Sequence, residues 1–160
     1  MRRLPVVLVL LATIACGWAK AAWSQVNPPS SRIRSGHAAK VQKLAREVAA
    51  YARHQLGVPY TYGGTSRATG FDCSGLVYAA YRSIGWNIPR SSWDQLSAGR
   101  AVGFAGLRPG DLLFTEGGGH VQLVVSTTSA ISAPQTGERV RYVPLTQLRP
   151  EFAGARRLLK

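Results

Sequence analysis

The chain has 160 residues, 46% of them hydrophobic and 17% charged, with a formal net charge of +13. Those proportions fit one globular domain with short appendages and exclude a disordered chain. The positive surplus asks for an anionic partner, whether nucleic acid, a membrane surface or an acidic polymer, and charge alone does not choose among them.

Residues 1–24 read as an export signal. Arg2 and Arg3 precede an apolar run from Leu4 to Gly17, shorter than the roughly 20 residues a membrane-spanning helix needs. Ala19-Lys20-Ala21 and Ala22-Trp23-Ser24 both offer small residues to a signal peptidase. "TIAC", ending at Cys16, loosely resembles a lipobox, with Thr13 where leucine is usual; a lipid anchor at Cys16 is the other reading. Loss of residues 1–24 removes Arg2, Arg3 and Lys20 and no acid, so most of the surplus stays with the mature chain. Export reduces access to nucleic acid, which leaves cell-wall polymers and anionic envelope surfaces as the better partners. The expected location is therefore the periplasm or cell envelope.

Residues 25–36 are polar with Pro28-Pro29 and read as a flexible tether. The domain is expected to span residues 37–160. From His37 to Leu56, Ala38, Val41, Leu44, Ala45, Val48, Ala52 and Leu56 share one helical face, and Gly57 and Pro59 end the helix. Lys40, Lys43, Arg46, Glu47 and Arg53 form its solvated side. A loop rich in Gly and Thr follows, and its Gly63-Gly64 lacks the lysine of a phosphate loop. A second helix is predicted over residues 73–83, with Leu76, Val77, Ala80 and Ile84 as its apolar stripe and Gly85 as its stop. "PRSSWDQLSAG" predicts a short helix with a capping box from Ser92 to Gln95. "GDLLF", "HVQLVVS", "SAISAP" and "RVRYVPL" are strand candidates, and residues 146–160 read as a small terminal helix or a fraying tail. Helices first and strands second indicate α+β with a mainly antiparallel sheet.

Chemistry gathers at "GFDCSGLV". Asp72 is a good N-cap, which puts Cys73 in the first helical turn. There the helix dipole is expected to lower the thiol pKa, and Gly70 and Gly75 are expected to leave room for a substrate. With Cys16 cleaved or lipidated, Cys73 has no intrachain disulfide partner, and no second cysteine supports a zinc site. A nucleophilic thiol needs a base. His37 borders the tether and His54 lies off the apolar helix face, so both read as surface residues. His120 opens a strand after three glycines and is the candidate base. A hairpin centred near residues 126–127 places Ser132 or Ala133 opposite His120, which makes Ser132 the candidate orienting group, with nearby Gln135 or a water as the alternative.

These residues resemble the NlpC/P60 family of bacterial cell-wall cysteine peptidases. "PYTYGG", "GFDCSGLV", "IPRSS", "GDLLF", "HV" and "APQTG" occur in the family's order between His37 and Leu145. The resemblance implies a papain-like α+β core, with the cysteine helix packed on an antiparallel sheet that carries the histidine. It implies Cys73 as nucleophile, His120 as general base, Tyr60 as an oxyanion helper, and Asp72 and Ser74 as residues that hold the stem peptide's free amine or nearby groups. The implied reaction is hydrolysis of an amide in peptidoglycan stem peptides, D-γ-glutamyl-diaminopimelate or a crosslink, with no metal or organic cofactor. Three positions depart from the pattern. Ser132 stands where His, Asn, Gln or Glu is usual, Gln122 stands where glycine usually follows "HV" and is expected to narrow the cleft, and the loop before His120 is compact. Ser132 is the best support for the alternative, a weakly active or inactive peptidoglycan-binding module on the same fold; intact Cys73 and His120 speak against it. No aromatic-basic platform supports a nucleic-acid binder.

Overall fold

The computed structural model describes residues 29–160, with side chains from residue 34 onward. The predicted export signal, Cys16 and the start of the predicted tether lie outside the described residues. Helix α1 spans Pro29–His54. Residues 29–36, expected as a tether, are therefore helical. Two short strands, β1 (Thr65–Ser66) and β2 (Gly70–Phe71), pair within the loop that precedes α2 (Cys73–Arg82). Helix α3 (Ser92–Ser97) and strand β3 (Arg100–Ala101) follow. Then come β4 (Leu112–Thr115), β5 (His120–Val124), β6 (Ser129–Ser132), β7 (Arg141–Pro144), the short α4 (Leu145–Leu148) and β8 (Gly154–Arg157).

The main sheet has six strands in the order β3-β8-β4-β5-β6-β7, every neighbouring pair antiparallel. The chain is thus α+β, as its sequence of helices then strands implies. Strand β8 lies inside the sheet, where a terminal helix or frayed tail was expected. "GARR" carries one buried apolar residue, Ala155, and so has no alternation to read. Arg157 secures it by gripping the buried Asp111 carboxylate through Nε and Nη2.

Both faces of the sheet are covered. On one side Val48, Ala52, Leu76, Val77 and Tyr81 from α1 and α2 pack with Val121, Leu123 and Ile131. On the other, Leu113, Val124, Ala130, Val143, Leu145 and Leu148 form a second cluster. Burial on both faces explains the near-continuous apolar reading of β5. Tyr81 is fully buried, and its hydroxyl donates to the Gly110 carbonyl at 2.5 Å, which removes the cost of an unpaired buried O–H. The predicted apolar face of α1 is only partly used: Val48 and Ala52 are buried, Val41, Leu44, Ala45 and Leu56 half-buried, and Ala38 exposed.

Candidate active site

The first turn of α2 sets the site. Asp72 is the N-cap, and its Oδ1 accepts from the Gly75 N–H at 2.6 Å. Oδ2 accepts from the Gly63 N–H at 2.8 Å and from Arg90 Nη2 at 2.7 Å. The Ser74 hydroxyl leans on Oδ1 at 3.4 Å and receives Arg90 Nη1 at 2.8 Å. A carboxylate has about four acceptor positions, and here all four face donors of the protein itself. Asp72 and Ser74 are also both 7% exposed. The two residues expected to hold a substrate amine are therefore engaged with Arg90, and a substrate would have to displace that guanidinium to reach Asp72. Arg90 had a signal in the sequence, "IPRSS", yet its role is visible only once Pro89 and Ser91 bring it beside α2.

The glycines around Cys73 serve packing rather than substrate access. A Cβ on Gly75 would lie 2.0 Å from the Gly64 carbonyl oxygen, and one on Gly70 would lie 2.3 Å from Thr61 Oγ1. The "YGG" loop thus closes directly onto the start of α2. The capping box of α3 is also displaced by one residue. Ser91 is the N-cap and accepts from the Asp94 N–H, while its hydroxyl donates to Asp94 Oδ2 at 2.6 Å. This frees Ser92 and Gln95 to turn inward. Ser92 donates to the Gly119 carbonyl, next to His120, and Gln95 Nε2 donates to the Ser74 and Pro89 carbonyls. Gln95, expected as the end of a capping box, is instead a fully buried polar side chain that holds the cysteine turn.

Cys73 is half-buried, and the backbone N–H groups of Val121 and Ser74 and the Ser74 hydroxyl act to lower the pKa of its thiol. The Val121 N–H belongs to the peptide that joins it to His120, so α2 delivers the thiol to the start of β5. Burial nevertheless pushes the Cys73 thiol pKa up, with the Asp72 carboxylate adding to the rise, and these outweigh the N–H donors. The direction is opposite to the depression expected at a helix start, and burial is its largest cause.

His120 Nε2 lies 2.9 Å from Ser132 Oγ. Ser132 is 3% exposed. In the β5–β6 pairing Leu123 faces Ile131 and Val124 faces Ala130. That register centres the hairpin on residue 127, so Ser132 meets the ring diagonally rather than from the opposed position. Gln135 is exposed and bonds Glu138, not His120. Burial lowers the His120 pKa, and Glu116 and Glu151 offset this only in part. Thiol and ring are both pushed toward their neutral forms.

Tyr60 is half-buried beside Cys73, Asp72 and Arg90, and its hydroxyl stays protonated, its pKa raised by burial first and then by Cys73. Gln122 is buried against Thr115, to whose hydroxyl its Nε2 donates at 3.0 Å. It fills the fold beneath the site rather than entering an open cleft. Gly118, with φ +112, packs under Trp93 and Leu96, and a Cβ there would lie 2.6 Å from Leu96. That contact makes the short loop before His120 possible. Among the described residues no cluster of His, Cys, Asp and Glu could hold a metal ion.

Comparison with known proteins gives one consistent result. A family model described as "NlpC/P60 family" matches residues 57–156. The chain is 36% identical over 143 residues to the murein DD-endopeptidase MepH of Escherichia coli (strain K12), covering 83% of this chain and 53% of that protein. It is 41% identical over 98 residues to the gamma-D-glutamyl-L-lysine dipeptidyl-peptidase of Bacillus subtilis (strain 168), covering 58% and 33%. The solved structure of the peptidoglycan hydrolase RipB from Mycobacterium tuberculosis superposes with a TM-score of 0.69 at 34% identity, covering 76% of this chain and 68% of that one. The chain spans between a third and just over half the length of the first two relatives.

Proposed function

The chain belongs to the NlpC/P60 family, and from that premise we propose that it is a cysteine endopeptidase that hydrolyses an amide bond in peptidoglycan stem peptides. The observation that carries this reading is the Cys73 thiol at the capped start of α2, packed on the cluster that contains Val121, with Ser132 hydrogen-bonded to the His120 ring at the start of the same strand. A binding module would have no use for that arrangement.

With Nε2 on Ser132, Nδ1 is the ring nitrogen left for the thiol. When Ser132 accepts the Nε2 hydrogen, Nδ1 carries a lone pair and takes the Cys73 proton as sulfur attacks the carbonyl. The first-turn N–H of Gly75 is bound by the Asp72 side chain and that of Leu76 by the Asp72 carbonyl. The Cys73 N–H is then the backbone donor for the oxyanion, with the protonated Tyr60 hydroxyl as the second. His120 gives its proton to the leaving amine, then takes one from a water that attacks the thioester carbonyl, and returns that proton to the Cys73 sulfur as the acid product leaves.

Two cleavage sites are compatible with the names of the relatives: the D-γ-glutamyl bond and the crosslink. Purified protein incubated with defined muropeptides, with products identified by mass spectrometry, separates them. Uncut muropeptides would refute the proposal. The substrate lies in the cell envelope, and the Arg2-Arg3 start followed by an apolar run supports export there. The mass of the mature N-terminus distinguishes cleavage after small residues from lipidation at Cys16.

A further inference from the structure

A cavity of about 620 Å³ opens at the other end of the sheet from Cys73. Thr115, at one end of β4, pairs with His120, while Asp111, just before the other end, lines the cavity. At about 3.3 Å per strand residue the two lie about 13 Å apart. The floor is apolar, with Val41 and Ala45 from the under-used face of α1 and the buried Leu159. The rim is cationic, with Arg46, Arg100 and Arg108. Among the described residues these three guanidinium groups make no salt bridge, and the cavity's one acidic side chain, Asp111, is already bound by Arg157. The cavity is also built in. Gly110 sits in it at φ +91, and a Cβ there would press on Ala45 at 3.1 Å.

A planar guanidinium matches phosphate oxygens in pairs and is weakly hydrated for a cation. Three of them above an apolar floor suit a ligand with a phosphate at one end and a hydrocarbon body at the other. We propose that this cavity binds the phosphate headgroup of an anionic amphiphile, with Arg46, Arg100 and Arg108 on the phosphate and Val41, Ala45 and Leu159 beneath the apolar part. The site would hold the enzyme on a membrane surface while the cysteine end of the sheet stays free, and it does not depend on which bond the enzyme cuts.

The test uses the full chain with vesicles of phosphatidylglycerol or phosphatidylcholine, and separately with soluble glycerol phosphate. Each cation near an anionic surface contributes about a fivefold factor in affinity. The triple variant Arg46→Gln/Arg100→Gln/Arg108→Gln should therefore bind phosphatidylglycerol about a hundredfold more weakly, by co-sedimentation. A charge-matched variant, Arg82→Gln/Arg141→Gln/Arg149→Gln, should lose less than about fivefold. Both should cleave muropeptides at the parent rate, which also shows that they fold. Should the triple variant unfold, Arg46→Glu, on the exposed side of α1, must show the same ordering against Arg82→Glu. Arginine-dependent binding of vesicles alone identifies a lipid headgroup, and arginine-dependent binding of glycerol phosphate as well identifies a general phosphate site. Equal losses in the two triple variants, or no binding of either probe, would overturn the proposal, the first by showing diffuse charge and the second by showing a cavity that takes no phosphate.

Discussion

Ser132→Ala isolates the weakest link of the site. The mutation removes one hydrogen bond, 2.9 Å long, between a buried hydroxyl and His120 Nε2. Both partners are neutral, because burial holds the ring's pKa down. A net neutral hydrogen bond is worth about 0.5–1.5 kcal/mol, so the rate should fall by about two- to tenfold. Ser132 acts through the ring and does not reach substrate, so kcat should carry the loss and KM should hold. A second readout is the tautomer. A hydroxyl can donate as well as accept, so it favours the productive Nε2–H form only partly, and nitrogen NMR of the His120 ring should show the tautomer ratio move in Ser132→Ala. Gln135→Ala should leave both readouts alone, because Gln135 bonds Glu138. Steady-state rates on one muropeptide, with circular dichroism to confirm folding, decide the matter. A silent Ser132→Ala with a costly Gln135→Ala would refute the assignment. A loss beyond about a hundredfold would show that Ser132 does more than orient the ring.

Cys73→Ala should abolish muropeptide cleavage and keep the fold; measurable turnover above background would remove Cys73 as the nucleophile. The acid limb of kcat/KM should lie below the ordinary histidine value of about 6.5, since His120 must be neutral to take the thiol proton and burial lowers its pKa; a limb at or above that value contradicts the geometry. Cys73 alkylation in the free enzyme should rise with a midpoint above the usual cysteine value of about 8.5, and a midpoint well below it would indicate a preformed thiolate. Arg90→Ala should lower Tm by several degrees. Breaking a buried pair costs about 3–5 kcal/mol, reduced here because the Arg90 side chain is 37% exposed. Arg90→Lys should recover part of the loss, and a variant as stable as the parent would mean the pair contributes nothing.

What could be read from the sequence was what local physics controls. Asp72 before an apolar stripe announces a capped helix, and α2 begins where that pattern puts it. Three glycines before an apolar run mark His120 as a strand opener. The polar partner of the ring also followed from hairpin spacing, although the register is shifted from a direct opposition to a diagonal one. Non-local partners were not legible. Strand β8 is held by an arginine to a carboxylate far along the chain, and no periodicity in "GARR" reports that bond. The glycines at 70 and 75 look like open space in one dimension and are sites of backbone contact in three. The helix dipole was visible from the sequence, but the depth at which the thiol sits was not, and depth decides the sign of the Cys73 shift.

That sign bears on how the site works. Three separate stretches of chain converge on the first turn of α2: the Gly63 N–H and Arg90 on Asp72, Arg90 again on Ser74, and Gln95 on the Ser74 carbonyl. This much fixation of one turn gives geometry, yet the same burial disfavours charge on both the thiol and the ring. On the mechanism proposed above, such a site is expected to hold Cys73 as the thiol before substrate arrives. On the proposed mechanism the proton would leave sulfur as the carbon–sulfur bond forms, when the new charge can spread to the oxyanion donors rather than remain on a half-buried sulfur. The fold therefore contributes mainly by holding reactants in line, and it contributes less by shifting the nucleophile's acidity. Arg90 then has a double duty: it neutralises Asp72, whose carboxylate would otherwise push the thiol pKa higher, and it fixes the turn that aims the sulfur. Its loss should therefore depress kcat more than its loss of folding stability alone would account for, measured at a temperature where the Arg90→Lys variant is fully folded.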